Sequence, residues 1–137
     1  MGHETKLDSR VVPRCVYTLP EVASVGMTEK QAGEAGHEIK VGRFPFAANG
    51  KATVLGERTG FVKIVAEAKY GEVLGVNIFG PHATDLIGEA VLAMQLEGTA
   101  QDIARATHPH PTLTEALKEA ALDVDGMALH IPPRKKG

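Results

Sequence analysis

Cysteine is nearly absent: Cys15 is the only one in 137 residues, so the chain closes no internal disulfide and carries no redox-active cysteine pair of its own. Its place in the apolar run Cys15-Val16-Tyr17 reads as a core thiol rather than a nucleophile. Glycine is plentiful, yet no two glycines stand at i and i+2, which excludes the fingerprint by which a strand-turn-helix unit cradles a dinucleotide. No apolar run approaches the roughly 18 residues of a membrane span, and residues 1–10 show no signal peptide. The expectation is a soluble, cytoplasmic protein with no membrane partner. Neither sign of charge is in excess, since the formal net charge is −2, so no nucleic-acid partner is expected. The one basic cluster, Arg134-Lys135-Lys136, lies in a proline-led tail and reads as solvated. Internal repeats and low-complexity segments are missing as well.

What is present suits one domain of ordinary size, because 43% hydrophobic content is enough to bury a core. Residues 1–11 read as a linker or expression segment, 12–131 as the domain and 132–137 as the basic tail. Order is expected from near Val11. The stretch from Val11 to Pro20, interrupted by Pro13 and Pro20, suits an edge strand or an entry segment, and Glu21 to Gly26 a second short strand. Thr28 and Gln31 form a capping box ahead of a short helix over about Glu29 to Ala35, with Gly36 as its stop. Ile39 and Val41 have the opposite parity to Phe44 and Phe46, which a bulge at Gly42 reconciles. Asn49-Gly50 reads as a turn.

The strongest strand signals are Phe61 to Ala66 and Val73 to Phe79, expected to pair as a hairpin at the sheet centre. After Gly80-Pro81, Thr84 is expected to cap a helix with Leu86, Ile87, Ala90, Val91 and Met94 on one face, ended by Gly98. A further short helix starts from Thr99 with Asp102 at its third position. A last helix carries Ala116, Leu117, Ala120, Ala121 and Val124 on its apolar face and ends at Gly126. Strands and helices follow one another without regular alternation, which indicates an α+β fold, an antiparallel β-sheet flanked by helices.

Special residues concentrate in His108-Pro109-His110-Pro111-Thr112-Leu113-Thr114-Glu115. Each proline fixes its own φ and pushes the residue before it out of the helical region, so this segment is stiff before any tertiary contact forms. Thr112 and Glu115 have capping-box spacing. A glutamate in the first turn also reaches a histidine just upstream, where it fixes the imidazole tautomer and stabilises the protonated form. On spacing alone both roles for Glu115 stay open. A metal held by His108 and His110 lacks a third ligand nearby.

The segment resembles the C-terminal signature of the flavin-dependent pyridine nucleotide disulfide oxidoreductases, and within them most closely the dihydrolipoamide dehydrogenase branch. Other stretches resemble the same family in the same order: Thr18-Leu-Pro-Glu-Val-Ala-Ser-Val-Gly26, Phe46-Ala-Ala-Asn-Gly-Lys-Ala52, Gly60-Phe-Val-Lys-Ile-Val-Ala66, Gly71-Glu-Val-Leu-Gly75 and Gly80-Pro-His-Ala83. The likeness covers about Val12 to Lys136. It implies an interface domain that forms most of a two-fold dimer, with His110 as the acid-base residue and Glu115 as its partner. It also implies that His110 and Pro111, joined by a bond often cis in relatives, face the flavin of the partner subunit.

By that resemblance the full enzyme oxidises dihydrolipoamide to lipoamide with FAD and NAD, neither expected bound to this chain. Its partners are a second copy, the FAD and NAD domains that the present sequence does not contain, and the dihydrolipoyl domain of a 2-oxoacid dehydrogenase complex. Two alternatives stay open: a stand-alone, non-catalytic dimerisation module, and the same domain of a glutathione or mercuric reductase. His3, His37, His82 and His130 have no partner that spacing reveals, and His82 reads as a turn residue.

Overall fold

The computed structural model describes residues 7–133, so the basic cluster at 134–136 and the first six residues lie outside it. Five strands form one antiparallel sheet in the order β1-β2-β5-β4-β3. These are β1 (Arg14–Val16), β2 (Glu21–Gly26), β3 (Ile39–Pro45), β4 (Phe61–Glu67) and β5 (Val73–Gly80). The expected hairpin of β4 and β5 is there, with β5 at the centre. Helices α1 (Glu29–Glu34), α2 (Gly50–Leu55), α3 (Ala83–Gln95), α4 (Ala100–Arg105) and α5 (Glu115–Asp123) complete the α+β architecture. No helix among the described residues is long and apolar enough to cross a membrane.

Alternation along the strands sets the main core. Ala23 and Val25 of β2, Phe44 of β3, Val62 and Ile64 of β4, and Val76 and Ile78 of β5 turn the same way and meet Leu86, Ile87, Ile103 and Leu117 of the helices. Cys15 packs at the margin of this cluster, as expected of a core thiol. On the other face of the sheet, α1 lays Ala32 over Val65 and Leu74, with Ile39 and Val41 beside them. There Glu29 pairs with Lys63 at 2.8 Å and with Arg43.

That second cluster corrects the expected bulge at Gly42. The β3-β4 register runs unbroken from Ile39 to Pro45, because Ile39 and Val41 serve one face while Gly42 and Phe44 serve the other. Both parities are apolar because both faces are covered. The break in the sheet falls instead where Val65 pairs with Gly75 and Ala66 with Val73, which frees Val73 for the main core and Leu74 for the smaller one. Gly42 has a different purpose: a Cβ there would lie 1.9 Å from the Ala120 carbonyl oxygen, so glycine lets α5 rest on the strand's backbone.

Edge strand β3 is also sealed from the side. The Arg43 N–H donates to Asp123 Oδ2 at 2.7 Å, and Lys40 pairs with Asp125 at 3.0 Å, both acceptors coming from the end of α5.

Helix ends bear out some of the local reading. Capping boxes form at Thr28 with Gln31 and at Thr99 with Asp102, and Gly36 and Gly126 take positive φ where α1 and α5 stop. Others differ. Asp8 caps a single 3-10 turn at Ser9–Val11, so regular structure is already present ahead of Val11. Asn49 is an N-cap of α2 rather than a free turn, its Oδ1 accepting from the Ala52 N–H. Thr84 does not cap α3, whose N-cap is His82 at φ 52; the Thr84 N–H and hydroxyl both donate to Glu21 on β2. A carboxylate 63 positions away does the capping. At the far end of α3, Glu97 takes the left-handed position at φ 53, ahead of Gly98, whose N–H returns to the Ala93 carbonyl.

Candidate active site

The segment before α5 is held by its own side chains. Glu115, in the first turn of α5, places Oε1 2.9 Å from His110 Nδ1 and accepts the Thr112 N–H on Oε2 at 2.9 Å. The two roles open for Glu115 are therefore both filled, one by each oxygen. The reciprocal half of the capping box is not made. The Thr112 hydroxyl donates to the Pro109 carbonyl at 2.7 Å, leaving Thr114, with no side-chain cap, as the N-cap. Since that hydrogen is spent on Pro109, the 2.8 Å contact between the two threonine hydroxyls has Thr114 as donor. The His110-Pro111 peptide bond is cis, as is Leu19-Pro20.

Burial pushes the Glu115 carboxyl up, but the Thr112 N–H, the hydrogen bond from His110 and the charges of His110 and His130 outweigh it, so its pKa lies below the ordinary carboxylate value. The group is ionised at neutral pH and accepts only. His110 Nδ1 is then the donor, which leaves the lone pair on Nε2. The His110 side chain is 78% exposed, and nothing among the described residues hydrogen-bonds Nε2. The pair therefore presents an oriented base at the rim of a cleft of about 240 Å³ that also involves Phe44, Asn49, Lys118 and Leu129. A larger cleft, about 420 Å³, lies between the amino-terminal turn and β2 and holds none of these residues. The smaller one brings together His108, His110, Glu115 and His130.

The other histidines divide differently. The His108 side chain is largely covered, with Nε2 on Glu89 of α3 at 2.9 Å and Nδ1 on the Ala106 carbonyl at 3.0 Å. Both nitrogens are engaged within the fold, so His108 fixes the turn after α4. His130 and His82 do have partners, which spacing did not reveal. His130 Nδ1 lies 2.8 Å from Glu119, and His82 Nδ1 lies 3.4 Å from Asp85. Glu119 is buried, and its second oxygen also takes the Leu129 and His130 N–H groups, clasping that segment to α5. One signal for it was available: Glu119 follows Glu115 by one helical turn and so shares its face.

Acid lability follows from the Glu115 shift. A carboxyl whose pKa is lowered by folding contributes stability that is present above its unfolded value, about 4.3, and is lost as pH falls through the lower folded value. The wild-type advantage in denaturation midpoint over Glu115→Gln should be larger at pH 6 than at pH 3. An advantage that does not shrink on acidification would show that Glu115 ionisation is not coupled to folding.

Residues 12–121 match the pyridine nucleotide-disulphide oxidoreductase dimerisation domain, and the chain belongs to that family. Among its relatives, the dihydrolipoyl dehydrogenase of Bacillus subtilis (strain 168) is 54% identical over 124 residues, which cover 90% of this chain and 26% of that protein. Among solved structures, LpdA from Mycobacterium tuberculosis superposes with a TM-score of 0.80 at 29% identity, over 85% of this chain and 26% of that one. The HOCl-induced flavoprotein disulfide reductase RclA from Escherichia coli superposes at 0.77 with 28% identity, over 80% of this chain and 25% of that one. The chain thus spans about a quarter of the length of the proteins it matches.

Proposed function

We propose that this chain is the dimerisation domain of a dihydrolipoyl dehydrogenase, in which His110 and Glu115 form the acid-base pair for oxidation of dihydrolipoamide to lipoamide. One observation carries the reading: the ionised Glu115 holds His110 Nδ1 at 2.9 Å and turns the basic Nε2 outward. A dithiol substrate needs such a base, because a thiol with a pKa of roughly 8.5 is mostly protonated at neutral pH and only the thiolate attacks a disulfide sulfur. His110 Nε2 takes that proton, and Glu115 stabilises the imidazolium that results.

The disulfide itself belongs elsewhere in the full enzyme, since Cys15 stands alone in this sequence. The residues present fit a flavin met from outside. The cleft at His110, about 240 Å³, is smaller than the roughly 300–1,000 Å³ of an enclosing small-molecule site, whereas the His110-Pro111 backbone stands at an exposed rim. By the family resemblance, His110 and Pro111 would contact FAD carried by the partner subunit. FAD, when bound, supplies the two-electron passage from the reduced disulfide to NAD. The dithiol arrives on the dihydrolipoyl domain of a 2-oxoacid dehydrogenase complex.

Residues 12–131 should replace the equivalent domain of the Bacillus subtilis relative and give a dimeric, FAD-loaded chimera that oxidises dihydrolipoamide. A chimera that dimerises and loads FAD, yet acts on another disulfide substrate and not on this one, would move the domain to a different branch of the family.

For the chain by itself, a non-catalytic dimerisation module is the reading favoured by its surface. Tyr17, Leu19, Leu92 and Leu96 are exposed large apolar residues of the kind a second subunit covers. Sedimentation of the purified chain at high micromolar concentration should give twice the monomer mass. A concentration-independent monomer would mean that other parts of the enzyme are needed to complete the interface.

A further inference from the structure

Among the described residues Glu115 is the hydrogen-bond partner of the His110 ring, so the ring's direction depends on the backbone from Pro109 to Glu115. The side-chain hydrogen bonds within that stretch are nearly all local, spanning five positions or fewer. Leu113 leans on the main core. Among the described residues, one hydrogen bond ties the stretch to a distant part of the chain: Asn49 Nδ2 donates to the Thr112 carbonyl at 3.1 Å across a sequence separation of 63. Thr112 is the residue whose N–H holds Glu115 Oε2 and whose hydroxyl holds Pro109.

Asn49 is built to be a fixed point. Its side chain is among the few buried polar groups, at 4% exposure. Its amide can face only one way, because Oδ1 must accept the Ala52 N–H at 2.9 Å, which turns Nδ2 toward Thr112. Its own N–H donates to the carbonyl of Phe46, a fully buried ring against Gly80 of the central strand. A continuous path of contacts thus runs from the sheet centre through Phe46 and Asn49 to the residue that holds Glu115.

We propose that Asn49 is a positioning residue for the His110-Glu115 pair, its carboxamide anchoring the Thr112 carbonyl so that the imidazole keeps one orientation at the subunit boundary. The inference rests on the acid-base assignment above. Capping α2 and tethering Thr112 are separable, since serine and aspartate both cap helices well. Serine keeps the cap and is too short for Thr112. Aspartate keeps the cap and sets an acceptor oxygen against the Thr112 carbonyl.

In the 137-residue chain, Asn49→Ser should raise amide hydrogen exchange at Thr112 about tenfold while the Ala52 amide changes by less than about twofold, as expected when one anchoring hydrogen bond is deleted. In the chimera the same substitution should lower kcat about tenfold with KM within about twofold, the pattern of a misplaced base rather than lost substrate binding. Unchanged exchange at Thr112 in Asn49→Ser would overturn the proposal. Should the Ala52 amide lose protection too, Asn49→Asp decides: raised exchange at Thr112 with Ala52 protected supports the tether, and unchanged Thr112 exchange refutes it. Loss of activity in His110→Gln with full activity in Asn49→Ser sinks Asn49 alone, whereas full activity in His110→Gln sinks the acid-base assignment itself.

Discussion

His110→Gln in the chimera is expected to slow dihydrolipoamide oxidation by about 10²-fold or more, the scale on which a positioned general base contributes. Glutamine keeps a polar side chain of similar reach and can still hydrogen-bond Glu115, so the turn before α5 survives while the basic Nε2 is gone. The loss should sit in kcat, because the group acts on the reacting proton rather than on the body of the substrate. Glu115→Gln should cost less. It keeps one acceptor oxygen, which can serve His110 Nδ1 at the expense of the Thr112 N–H, and removes the negative charge that stabilises the imidazolium, so the part of its deficit due to charge should narrow as pH rises and thiolate forms without help. Stopped-flow reduction of the bound flavin by dihydrolipoamide measures both. A His110→Gln enzyme that reduces flavin at the parental rate would end the claim.

Gly42→Val is expected to destabilise the fold by about 2–4 kcal/mol, the upper range for overpacking a tight contact. A Cβ at Gly42 would sit 1.9 Å from the Ala120 carbonyl oxygen and 2.6 Å from the Val124 nitrogen, both backbone atoms that cannot rotate away. The only relief is for α5 to lift off β3. That movement breaks the Asp123 and Asp125 contacts along the strand edge and displaces Glu115, so activity should fall together with stability. Gly33 is the control. It lies inside α1 with nothing within 4 Å of an added Cβ, and Gly33→Ala should be neutral or stabilising by up to about 1 kcal/mol on helix propensity. Denaturant midpoints for the two variants give the comparison. Equal midpoints would show that α5 does not bear on β3 as closely as the structure places it.

These two sites also mark what a single sequence reveals. The capping boxes at Thr28 and Thr99 are local chemistry, complete within a few residues and legible from local pattern, whereas the spacing of His110 and Glu115 leaves two roles open that the structure fills with one oxygen each. Gly42 was misread as a bulge because alternating parity was taken to mean one buried face, when α1 and α5 cover both. Thr84 looked like a cap because nothing nearby announces that Glu21 reaches α3 from another strand. Asn49 read as a turn residue for the same reason: its second partner is 63 positions away. The pairs His108-Glu89 and His130-Glu119 join segments that only tertiary folding brings together. What local pattern misses is consistently the group supplied from a distance, because periodicity carries no information about which helix lies over which strand.

The sealing of the sheet's margins bears on how this polypeptide behaves when made by itself. At one margin the Arg43 amide is occupied by Asp123, and the opposite margin, β1, is three residues long. Neither side offers a ladder of idle amides on which identical molecules could template an endless ribbon. Copies crowded together are therefore expected to meet through exposed apolar side chains such as Leu92 and Leu96 rather than by extending the sheet.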